Sequence, residues 1–176
     1  MDVTVFVFNG MASSDVSAPV AALAESVDVA LRLVGIEHGT YHGFEPLREF
    51  RTDATTDEIA PTDLLIVPGG LGSVQMMENR RVIDWLIDQV EVSRYVMSVS
   101  TGSLLLAAAG LLGDADASGH WLAREFMTQA GAHPADEPVT WWGKFVTTSG
   151  PLAAAGVAAE LPERIRFGPE PERFSG

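Results

Sequence analysis

Tyr95-Val96-Met97-Ser98-Val99 runs directly into Ser100-Thr101-Gly102-Ser103 and then into Leu104-Leu105-Leu106-Ala107-Ala108-Ala109-Gly110. The first five residues are the composition of a buried strand, and the run from Thr101 to Gly110 predicts a small-residue helix stopped by glycine. Between them the chain must turn sharply, with only small residues flanking one hydroxyl. Such a strand-to-helix elbow pushes the Ser100 side chain outward, toward the N–H groups and positive dipole end of the following helix. Ser98 occupies the place of the first glycine in G-x-S-x-G, and 176 residues is short for an α/β-hydrolase. Serine is also a preferred helix N-cap, so the elbow and a plain cap both fit the spacing.

Working outward, the same strand-then-helix alternation recurs. Val3 to Phe8 is a continuous apolar run ending at Asn9-Gly10, and Asp15 to Leu23 follows as a helix with proline near its start. Val27 to Val34 reads as a strand. The polar segment from Gly35 to Thr62 predicts a short hairpin, and Asp63 to Val67 predicts a strand closed by Pro68-Gly69-Gly70-Leu71-Gly72. Arg81 to Val90 carries a helical apolar stripe. Beyond Gly110 the reading is a short strand near Ala115, a helix from Trp121 to Ala130, strands near Val139 and Phe145, and a helix from Leu152. The alternation predicts an α/β fold, a mainly parallel sheet with helices on both faces. Nothing divides the chain, so residues 1–176 are read as one domain, with 162–176 a Pro-, Glu- and Arg-rich surface tail.

Charge narrows the partners. The net charge is −13 with no basic cluster to offset it, which argues against nucleic acid or an anionic membrane surface. Apolar runs fall short of a membrane span, and no secretory signal is visible at the start, so the cytoplasm is the expected compartment. The chain has no cysteine, which excludes disulfides, thiolate metal sites and redox thiols.

In open α/β sheets ligands bind beyond the carboxyl ends of the strands. Three segments present chemistry there: the Ser100 elbow, the glycine turn at Gly70, and Asp15 after the first strand. The glycines would let backbone approach a ligand and offer N–H donors, or would simply make a tight turn; the Lys-Ser/Thr of a phosphate loop is missing. Asp15 would serve as general acid or base, or would only complement a helix dipole. His38 and His42 are set among glycines without a carboxylate at metal-like spacing, so no metal site and no cofactor is predicted. Trp141-Trp142 with Phe145 reads as core or dimer surface.

Taken together, Pro68-Gly69-Gly70, Ser98 through Leu112 and Gly119-His120-Trp121 resemble the DJ-1/PfpI superfamily, and within it the isocyanide hydratase branch. Those hydratases carry S-V-C-T-G-S at the elbow, T-H-W after it, and D-L-T-G-P where this chain has Asp15-Val16-Ser17-Ala18-Pro19. The resemblance covers roughly residues 3 to 150. It implies a flavodoxin-like α/β sandwich, a small-molecule substrate and a homodimer. It implies Asp15 as the proton-transfer residue and Ser100 at the nucleophile position. It further implies Gly70 and Thr101 as pocket donors and His120 beside the elbow.

Serine at the nucleophile position departs from the family. A hydroxyl needs an adjacent base to attack, whereas a thiol already carries some thiolate near neutral pH. Either the chain has left thiolate chemistry or serine replaces an original cysteine. The resulting expectation is a lyase or hydratase-like enzyme. Its rivals are a non-covalent acid–base cyclase, isomerase or dehydratase, and a non-catalytic ligand-binding domain.

Overall fold

The computed structural model describes residues 1–168. In chain order it contains β1 (Asp2–Phe6), α1 (Ser13–Ala24), β2 (Ala30–Gly35), β3 (Thr40–Gly43), β4 (Arg48–Arg51), β5 (Ala54–Thr55) and β6 (Thr62–Val67). Then follow α2 (Ser73–Met77), α3 (Arg80–Val92), β7 (Ser93–Val99), a 3-10 turn over Ser100–Gly102 and α4 (Ser103–Ala108). The remainder is β8 (Asp116–Ala117), a 3-10 turn over Trp121–Ala123, α5 (Arg124–Gln129), β9 (His133–Pro134), β10 (Val139–Trp142), β11 (Phe145–Thr148) and α6 (Pro151–Phe167).

The central sheet has the order β10-β11-β7-β6-β1-β2-β5 and is parallel except where β10 pairs antiparallel with β11. Every residue of β6 and β7 except Asp63 and Arg94 is buried, as expected for parallel strands covered on both faces. Helices α1 and α6 pack together, and α2 to α5 pack with one another across α3 and α4. Stripped of its edge strands, the sheet is a flavodoxin-like succession with β2 on one side of β1 and β6, β7 and β11 on the other. The strand order reverses between β1 and β6, which opens a crevice at their carboxyl ends. The loops that follow β1, β6 and β7 all meet there.

The expected hairpin between Gly35 and Thr62 is β3–β4, with Thr40 opposite Arg51. The proposed helix from Thr101 begins instead as a 3-10 turn, and α4 proper starts at Ser103. Three short elements were not foreseen: α2 immediately after the glycine turn, β5 at the sheet edge and β9 beside β8.

Composition predicts a surface tail from Pro162; residues 162–167 do lie at the surface, but as the continuation of α6 through Pro162 to Phe167. Tertiary contacts hold the last turns: Leu161 is buried, and the Arg164 guanidinium lies 4.0 Å from the Trp141 ring centroid. Arg164 and Arg166 also complement the helix dipole there. Residues 169–176 of that tail lie outside the described residues. Among the described residues no helix is long and apolar enough to cross a membrane.

Helix α3 is held at its start by Asn79, whose Oδ1 accepts from the amides of Arg81 (3.1 Å) and Val82 (3.4 Å). Asn79→Ala leaves both donors to water, and we expect a loss of about 1 kcal/mol, read as a lower urea midpoint with unchanged slope.

Candidate functional site

Ser100 has φ +57°, a left-handed conformation that a non-glycine residue adopts at a cost of roughly 1–2 kcal/mol. The plain N-cap reading is therefore set aside, since a cap residue is ordinarily extended. Strain of this kind persists only where neighbours over-determine it. Here the Ser100 carbonyl accepts from the His120 amide and from Ser103 Oγ, each at 3.2 Å. The side chain of Ser100 is half-buried at the head of a turn whose first N–H groups have no partner one turn earlier.

Asp15 sits in the first turn of α1, with its amide donating to the Ala12 carbonyl. It is not a solvated helix-start carboxylate: the residue is 1% exposed. Its Oδ2 accepts from the Gly69 amide at 3.0 Å. Burial raises its pKa from 3.8 to about 6, and the Gly69 hydrogen bond opposes that rise only in part. A carboxyl of this kind changes protonation close to neutral pH, as proton-transfer chemistry requires.

Gly69 and Gly70 join the three loops. The Gly69 carbonyl accepts from the Ala12 amide at 2.8 Å. A Cβ on Gly69 would lie 2.5 Å from the Thr101 amide nitrogen and 2.8 Å from the Val99 carbonyl. Gly70, at φ +134°, forms an isolated bridge with Met11. Thus the carboxyl of Asp15 touches the same glycine that presses on the elbow backbone.

The role expected of the Gly70 amide needs correction. That N–H donates to Thr101 Oγ1 at 2.7 Å, so it is already engaged rather than free for a ligand. The Thr101 hydroxyl in turn reaches the Gly70 carbonyl and Ser73 Oγ, both at 3.2 Å. Thr101 thereby staples the glycine loop to the elbow. Ser73, fully buried, belongs to this cluster and was missed, because the glycine turn was read as ending at Gly72 with no helix after it.

His120 is brought beside the elbow through its backbone. Its Nδ1 accepts from the Leu122 amide at 3.3 Å, so a neutral ring carries its proton on Nε2. His38 and His42 lie elsewhere, on and before β3, where His42 Nδ1 is 3.8 Å from Glu49. Among the described residues no three metal-ligating side chains cluster. Trp141 packs edge-on against Tyr95, while Trp142 stacks on Phe145 and stays 41% exposed.

Isonitrile hydratase of Pseudomonas putida is 32% identical over 151 residues, 86% of this chain and 66% of that protein. The HTH-type transcriptional regulator GbdR of Pseudomonas aeruginosa is 40% identical over 78 residues, 44% of this chain and 21% of the regulator. The chain thus spans less than two thirds of the length of these relatives. A THiJ/PfpI family protein from Pseudomonas syringae superposes with a TM-score of 0.83, covering 99% of this chain and 78% of that one. At 22% identity it speaks for the fold alone. The DJ-1/PfpI family pattern matches residues 1–164, and this chain belongs to the DJ-1/PfpI family.

Proposed function

We propose that the chain is a small-molecule lyase or hydratase-like enzyme in which Asp15 transfers the proton and Ser100 stands at the elbow over the reacting atoms. The observation that carries this reading is the buried Asp15 carboxyl, with a pKa near 6, hydrogen-bonded to the glycine that abuts the elbow amide. The hydratase relative makes an isonitrile the first substrate to try. Hydration of R–N≡C adds water across one carbon: oxygen and one hydrogen end on that carbon, the other hydrogen on nitrogen, giving an N-formamide. Such a reaction needs a group that accepts a proton from water and returns one to the substrate, and a carboxyl titrating near 6 is suited to both.

Whether Ser100 attacks covalently is a separate matter. The His120 Nδ1 lone pair is occupied by the Leu122 amide. Among the described residues no hydrogen bond joins the Ser100 hydroxyl to a base that would activate it. That favours the second reading, in which water or an intramolecular group attacks and Ser100 only orients the substrate. A cyclase, isomerase or dehydratase acting without a covalent intermediate would use the same arrangement.

The test is conversion of an alkyl isonitrile to its N-formamide, followed by NMR, for the parent chain and for Ser100→Ala. We expect Ser100→Ala to keep rates within about tenfold of the parent; were Ser100 a working nucleophile, that variant would lose turnover and the parent chain would show a covalent adduct by intact mass. The profile of log kcat/KM against pH should bend near 6, rising through it if ionised Asp15 is the base and falling through it if protonated Asp15 is the acid. A flat profile from pH 5 to 7.5, or no formamide above the buffer rate, would remove this reading.

A further inference from the structure

The Ser100 carbonyl is gripped from a segment far along the chain. His120 donates its amide to it, and Gly119 passes so close that a Cβ there would lie 2.5 Å from Ser103 Oγ and 3.4 Å from the Ser100 carbonyl oxygen. The other end of this segment is pinned by hydroxyls. The Ser118 amide donates to Thr147 Oγ1 on β11 at 2.7 Å. Ser118 Oγ donates to the Glu137 carbonyl at 2.8 Å and pairs with Thr140 Oγ1 on β10. Ser118 and Thr147 are both buried, so the amide tie between them is shielded from bulk water.

We propose that Thr147, acting through the Ser118 amide, is a positioning residue for the elbow. The segment from Ala117 to His120 is a strap, fixed to the β10–β11 edge of the sheet at one end and to the strained Ser100 backbone at the other. Loss of the Thr147 hydroxyl leaves the Ser118 N–H buried without an acceptor. The strap then moves to find one, the His120 amide leaves the Ser100 carbonyl, and Ser100 relaxes out of its left-handed conformation. Its side chain then leaves the position that the left-handed backbone gives it at the head of the 3-10 turn. This inference rests on the reading that the elbow is the reactive position, and the experiment below separates the two.

Because the chain contains no cysteine, Ser100→Cys introduces a single thiol whose ionisation is followed by thiolate absorbance with no other thiol contributing. At a left-handed elbow that opens a helical turn, that thiol should titrate below the ordinary value of about 8.5. Adding Thr147→Val, which keeps shape but removes the acceptor, should raise its pKa by about one unit or more, a roughly tenfold loss of thiolate at pH 6. Adding Thr147→Ser should restore the lower value. Ser118→Ala removes the Oγ ties but keeps the Ser118 amide bond to Thr147, so it should give a smaller shift in the same direction. Thr147→Ala, which also removes the acceptor and adds no bulk, carries the test if Thr147→Val does not fold. A depressed thiol pKa that neither Thr147→Val nor Ser118→Ala moves would overturn the proposal, as would failure of Thr147→Ser to restore it. A thiol of ordinary pKa in Ser100→Cys alone would overturn the elbow reading itself, and the positioning role with it.

Discussion

Asp15→Asn should stabilise the protein at pH 8 and abolish its turnover. In the native state the carboxyl is protonated more readily than in the unfolded chain, with a pKa of about 6 against 3.8. A raised native pKa means that its stabilising effect is complete below pH 3.8 and is lost as pH rises through 6. At pH 8 the buried, ionised carboxylate therefore burdens the native state by up to about 3 kcal/mol. The asparagine carbonyl still accepts from the Gly69 amide, and no charge has to be buried. For a chain of this size we expect Asp15→Asn to melt roughly 5–10 °C higher than the parent at pH 8. At pH 4 the difference should shrink toward zero. Activity should fall by about a hundred- to ten-thousand-fold, because an amide cannot exchange a proton near neutral pH. Melting curves at the two pH values and isonitrile turnover at pH 7 check both halves. Equal melting at pH 8, or undiminished turnover, would return Asp15 to a helix-start residue only. A buried carboxyl that lowers stability at pH 8 is what a functional site is expected to show.

Gly70→Ala should be among the most damaging single substitutions in the chain. The position has φ +134°, where an L side chain is strained whatever the space. Space is also absent, since the added Cβ would lie 2.4 Å from the Gly10 carbonyl oxygen, 2.6 Å from the Ala12 nitrogen and 2.6 Å from Met11 Cα. All three are backbone atoms, which cannot turn aside as a side chain would. Strain and overpacking together should cost about 3–5 kcal/mol, seen as a lowered urea midpoint. The shift would also pull the Gly70 amide off Thr101 Oγ1 and part the β1 loop from the β6 loop. Gly39→Ala is the control: a Cβ there meets nothing within 4 Å, and stability should stay within about 0.5 kcal/mol of the parent. Equal stability of the two variants would show that the three-loop junction is softer than its distances imply.

Much of this architecture was legible beforehand because it is written in short-range signals. Val3 to Phe8 and Tyr95 to Val99 are continuous apolar runs, and a strand covered on both faces needs such a run. Composition put Ser100 at a strand-to-helix junction with no residues left for a loop, but that spacing suits a plain N-cap as well, and only the family resemblance favoured the elbow. The end of α6 was misread because proline disfavours helix locally, while the contacts of Leu161 and the stacking of Arg164 on Trp141 were invisible from composition. Ser73 escaped notice for a similar reason, since a five-residue helix carries too little periodicity to register.

By itself, then, the sequence determined the order of the main strands and helices, the mainly parallel sheet, and the three strand-end segments in which Asp15, Gly70 and Ser100 stand. These follow from periodicity and backbone preference, which neighbouring residues set among themselves. Tertiary structure alone decided what each of those groups is. Asp15 gains its raised pKa from burial and its hydrogen bond from Gly69, 54 residues away. The Gly70 amide is taken by Thr101 across 31 residues, and the elbow strap is pinned by Thr147 across 29. Proton affinity and donor availability depend on which atoms displace water around a group. That neighbourhood exists only once distant segments have packed together.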